Sequence, residues 1–136
     1  MARYTIVGQR PDTEVVGGST TRPVQVIEVV TTDHQIYFEA RAPRKLATTE
    51  NLKGLALANT VMYEALADLP GVATVEWTQE PTSAGLLADH VILYVTSDSG
   101  ESEGVLDFPL LLVTTDYVEP RVTALRAALN ATEQAG

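Results

Sequence analysis

The sequence predicts an α+β domain, a mainly antiparallel sheet with two helices packed on one face, in the order β-β-β-α-β-β-β-α. Three observations carry this prediction. Short runs rich in β-branched and aromatic residues alternate apolar and polar positions; two later stretches change to a period of 3.6; and residues 24–30 and 35–41 flank a turn-like Thr31-Thr32-Asp33-His34.

Taken in order, residues 3–7 alternate weakly and read as a strand. Residues 9–21, with Pro11 and Gly17-Gly18, read as a long mobile connection. The hairpin of 24–30 and 35–41 places Ile36, Phe38 and Ala40 on one face and Tyr37, Glu39 and Arg41 on the other. Thr48 or Thr49 caps a helix that carries Glu50 in its first turn and runs to about Asp68, where Pro70-Gly71 stops it. Its seam is Leu52, Leu55, Asn59, Met62, Leu66 and Leu69. The back of that helix, Leu57, Ala58, Val61 and Ala65, is also apolar, which calls for a second partner.

Residues 72–78 alternate as a half-buried strand with Ala73, Val75 and Trp77 on one face, and 79–85 form a loop. Residues 90–96 are continuously apolar, the mark of a central strand covered on both faces. An acidic turn over 97–104 leads to a returning strand at 108–114, with Pro109 at its edge or end. Asp116 and Glu119 have capping-box spacing, Pro120 suits a first turn, and Val118, Val122, Leu125 and Leu129 line one stripe of a helix ending near Asn130. Residues 133–136 are expected to fray. The chain reads as a single domain over 1–136, without internal repeat, low-complexity tract or domain boundary.

At 136 residues with 45% apolar content, one core suffices, and no apolar run approaches the roughly 20 residues that span a bilayer. The start lacks a basic region followed by a long apolar one, so synthesis in the cytoplasm is expected. The absence of cysteine excludes disulfides, thiol catalysis and thiolate metal sites. Charge is uneven. Residues 1–53 hold seven basic and six acidic side chains, net +1, whereas 54–136 hold two basic and twelve acidic, net −10. An acidic majority repels phosphate and disfavours nucleic-acid binding, while the polarity suits head-to-tail association.

The two histidines, His34 and His90, sit on distant elements without metal-ligand spacing, so no metal site is expected. Ser83 and Ser97 lie in loops outside any Gly-x-Ser-x-Gly motif, and Gly17-Gly18 lacks the lysine of a phosphate loop. Asp98, Glu101, Glu103 and Asp107 crowd one loop without calcium-loop spacing. No catalytic residue and no cofactor is therefore expected. Arg41, Arg44 and Lys45 offer a charged contact, and Leu57 and Val61 an apolar one. The alternative is a small ligand-binding or enzymatic domain using a groove near Trp77, His90 and Tyr94.

The segment Tyr4-Thr-Ile-Val-Gly-Gln-Arg-Pro-Asp-Thr-Glu14, then residues 24–30, then a strand closing on Ala42-Pro43-Arg44 before a helix, resembles small proteins encoded among the virion genes of actinobacterial tailed phages. Leu66-Ala-Asp-Leu-Pro-Gly-Val72 is similar to neck and tail-terminator proteins of long-tailed phages, although three strands before the first long helix depart from that pattern. The resemblance covers about half of the chain. It implies a non-enzymatic virion subunit at the capsid surface, neck or tail, a head-tail connector type. Its partners would be other virion proteins and copies of itself, with no membrane and no sequence-specific nucleic acid.

Overall fold

The computed structural model describes residues 3–16, 20–83 and 85–135. Within them the elements follow the expected order: β1 (Tyr4–Val16), β2 (Thr20–Thr31), β3 (Tyr37–Pro43), α1 (Thr49–Ala67), β4 (Val72–Pro81), β5 (Leu87–Thr96), β6 (Glu103–Pro109) and α2 (Thr115–Ala135). All strand pairing is antiparallel, and the strands are shared between two three-stranded sheets, β1-β2-β3 and β4-β5-β6. The chain forms two compact units, Met1–Val61 and Met62–Gly136.

In the first unit, β1 and β2 make a long hairpin arm whose pairing runs from Tyr4↔Thr31 to Val16↔Thr20. Residues 9–16 and 20–21 are thus strand where the sequence suggested a connection; residues 17–19, with Gly17-Gly18, lie outside the described ones. Both prolines fit the ladder. Pro11 is on edge strand β1, and Pro23 precedes the point, Val24↔Pro43, where β3 begins to pair with β2. Ile36, Phe38 and Ala40 are buried as their alternation predicts, together with Val24, Val26, Ile27 and Val29. Leu52 and Ala56 are the buried residues of α1 within this unit's apolar core.

In the second unit, β5 alternates: Val91, Leu93 and Val95 are buried, while His90, Ile92 and Tyr94 are half-buried. Its apolar run is therefore covered on one face, not two. That face carries α2, since a Cβ on Gly104 would meet Leu125 at 2.9 Å and the Phe108 ring lies edge-on to Tyr117. On β4, Ala73 is the extra residue of a bulge between Val72 and Thr74, so it turns outward while Val75 goes in. The returning strand begins earlier than expected, at Glu103, and the apolar residues after Pro109 form a short 3-10 turn, Leu110–Leu112. The cap of α2 is Thr114, whose Oγ1 accepts the Tyr117 amide, 3.1 Å, so Asp116 and Pro120 lie inside the helix. Its C-terminal turns are tied down and continue to Ala135: Asn130 accepts the Asp98 amide, and Glu133 accepts the Ser97 and Ser99 hydroxyls. Gly71, at φ +91°, supplies the left-handed residue between α1 and β4.

The two units repeat one another at an offset of 66 residues, a regularity absent from the reading of the sequence. Val24↔Pro43 becomes His90↔Pro109, and Val15↔Thr21 becomes Pro81↔Leu87. The bulge after Ile6 returns after Val72. Buried Thr31 donates its amide to the Ile36 carbonyl and accepts the Ile36 amide at Oγ1, 3.0 Å; buried Ser97 does the same with Ser102, 3.2 Å. Thr48 caps α1 through the Asn51 amide as Thr114 caps α2. A Pro-x-x-Leu-x-Thr-Thr-acid string at 43–50 recurs at 109–116, with a 3-10 turn, Arg44–Leu46 or Leu110–Leu112, between strand and helix. Elsewhere the two copies share apolar character more than identity. This is why the period escapes a search for matching residues.

Candidate functional site

Register alone brings three polar side chains together on the face of the second sheet opposite α2. His90 on β5 stands across from Thr78 of β4 and Pro109 of β6, and Glu80 and Asp107 occupy the diagonal positions two residues away. Both carboxylates reach the same ring nitrogen: His90 Nδ1 is 2.7 Å from Asp107 Oδ1 and 3.0 Å from Glu80 Oε2. The His90 side chain is only 20% exposed, against 39% and 42% for the two acids, so the ring sits lowest in the cluster.

The electrostatics follow from that crowding. Glu80 is raised above the ordinary value, first by its hydrogen bond with Asp107, then by desolvation and the Asp107 charge, with His90 opposing. Desolvation pushes Asp107 upward too, but hydrogen bonds with His90 and Glu80 outweigh it and leave that carboxyl below its ordinary value. The two carboxyls thus shift in opposite directions because each is the other's hydrogen-bond partner. Donor atoms from all three side chains lie within 4.8 Å of one another. Ions bound by nitrogen and oxygen at about 2.0–2.2 Å hold their donors within such a span. The set of one imidazole and two carboxylates is the mixed donor type that suits zinc and neighbouring divalent metals.

The same places in the first unit hold Glu14, Val24 and Arg41, and there the carboxylates are answered by arginine. Arg22 Nε donates to Glu14, 2.6 Å, and Arg10 bridges Glu28 and Glu39 at 3.4 and 2.8 Å. Desolvation pushes Glu39 up, yet hydrogen bonds from Arg10 and Tyr37 prevail and hold it below 4.5, while desolvation and then Glu39 raise Tyr37 to about 12. The depressed Glu39 adds stability that is present above its ordinary 4.5 and lost as pH falls through the folded value. Glu39→Gln is therefore expected to flatten the acid side of the stability profile. Urea denaturation at a series of pH values checks this, and an unchanged acid limb would contradict it.

The strands of the second sheet themselves carry no such cation, since residues 54–120 contain neither lysine nor arginine. The expectation of no metal ligands weighed the two histidines and the acidic loop separately; the structure instead joins one histidine to two acids from separate strands. A register prediction for β4, β5 and β6 is the signal that would have found them. Of the proposed groove, His90 and Tyr94 share a face, Tyr94 donating to Glu76 at 3.3 Å, whereas Trp77 pairs with Val91 on the opposite face and donates to Asp89, 3.1 Å. The acidic loop also separates, since Asp98 binds Arg126, 2.8 Å, and Asp107 belongs to His90.

Among the proposed contact residues, Arg44 and Lys45 are exposed on the first 3-10 turn and Arg41 is half-buried on β3. Leu57 and Val61 are each 43% exposed. Asn59 bonds the Leu55 carbonyl one turn back, 2.9 Å, and is half-buried like Leu55 and Met62: the buried apolar line of α1 runs instead through Leu52, Ala56, Tyr63 and Leu66. Among the described residues no helix is long and apolar enough to cross a membrane. No family model matches this chain, and neither the curated proteins nor the solved structures contain a match to it.

Proposed function

We propose that this chain is a small ligand-binding α+β domain whose ligand is a divalent cation held by Glu80, His90 and Asp107. One observation carries the reading: two carboxylates converge on one imidazole nitrogen on a sheet that has no lysine or arginine to balance them. Three protein donors leave coordination positions open, through which a bound ion would polarise water or take a second, oxygen-bearing ligand. The chain's own part is to present the donors from a rigid three-strand ladder. Calorimetric titration of Zn2+ into chelator-treated protein is expected to give one ion per chain, with affinity reduced at least about ten-fold in Asp107→Asn. Absence of binding, or equal affinity in the variant, would contradict it.

A second reading is an assembly subunit making protein–protein contacts, favoured by the exposure of Leu57, Val61 and, above all, Leu111 at 98%. The virion role implied by the resemblance of the N-terminal segments belongs to this reading. Arg44→Glu would then impair assembly with the fold intact.

A further inference from the structure

The 3-10 turn Leu110–Leu112 stands in the second unit where Arg44–Leu46 stands in the first, and the two corners have opposite chemistry. Leu111 is 98% exposed, Leu112 48% and Leu87, on the adjoining strand β5, 66%. An almost fully exposed leucine with exposed apolar neighbours is not explained by folding of the chain. The turn is followed in sequence by exposed Asp116 and Glu119. The first unit's corner shows the complement: exposed Arg44 and Lys45 beside Leu46, which is 53% exposed. Residues 54–120 hold no lysine or arginine, and the nearest in sequence, Arg121, is stacked on the Tyr117 ring and donates to the Tyr117 carbonyl, 2.7 Å.

We propose that the Leu110–Leu112 corner of one chain receives the Arg44–Leu46 corner of a second copy. Leu46 is set against Leu111 and Leu112, and Arg44 and Lys45 against the flanking acids. The contact is heterologous: each copy offers one corner of each kind, so repetition gives a ring when the rotation closes and a filament when it does not. Exposed charges contribute modestly, and the apolar centre supplies the remainder, with the charges selecting which corners meet. The proposal deepens the assembly reading by naming the partner, and it does not depend on the cation site.

Sedimentation of three proteins separates the outcomes. The wild type is expected to gain mass with concentration. Leu111→Glu, at a side chain that supports no core, and the double variant Arg44→Glu/Lys45→Glu are each expected to stay monomeric alone. Mixed together they still present one intact corner each, and should form a complex of two chains and nothing larger. A monomeric wild type, a double variant that associates like the wild type, or a mixture without the two-chain complex would each overturn the contact. If Leu57→Asp nevertheless blocks assembly with some other chain, the broader assembly reading survives this failure.

Discussion

Phe38→Ala is expected to lower the free energy of unfolding by about 3–5 kcal/mol. Phe38 is fully buried on β3, directly opposite Val29 of β2, which is also fully buried. Truncation removes the ring's contacts and leaves a cavity that two hydrogen-bonded strands cannot collapse to fill. The neighbouring Tyr37 gives the contrast. It is 40% exposed and points to the other face, so Tyr37→Phe, which keeps the ring and removes its bond to Glu39, should cost about 1 kcal/mol or less. Urea denaturation of both variants checks this. A loss below about 1 kcal/mol for Phe38→Ala would mean that the first unit's core is not where its alternation places it.

Zinc at about a hundred times its dissociation constant is expected to stabilise the folded protein by about 2.7 kcal/mol, and His90→Ala to lose this increment entirely. His90 supplies the only nitrogen in the cluster and the point at which Glu80 and Asp107 meet, so its removal leaves two acids without a shared partner. His34→Ala is expected to keep the increment, because His34 lies in the β2–β3 turn of the other unit and is not among the clustered donors. Thermal denaturation with and without added Zn2+ reads the difference. Equal stabilisation of wild type and His90→Ala would place zinc binding elsewhere.

Much of the fold is legible because it rests on local signals. The Ile36-Phe38-Ala40 alternation, the Thr48 cap and the Pro70-Gly71 stop each act within a few residues, and each is found where the sequence places it. The failures lie where pairing decides. Pro11 marks a break only in a strand with two neighbours, and β1 has one. Ala73 belongs with Val75 unless a bulge intervenes, and its bulge is set by pairing with β5. The candidate site was hidden for the same reason: Glu80, His90 and Asp107 share no motif and meet only through the ladder. The repeat was the most readable feature missed, since Pro43, Leu46, Thr48 and Thr49 recur as Pro109, Leu112, Thr114 and Thr115. Those residues do the same job twice, ending a sheet and starting a helix.

The most direct test of the cation site is long-range 1H–15N NMR of the histidine rings during addition of Zn2+. The chain contains only His34 and His90, so one serves as the internal reference for the other. The His90 Nδ1 resonance is expected to move on stoichiometric zinc while both His34 nitrogens stay in place. A His90 ring that does not respond, or that responds no more than His34, would contradict it.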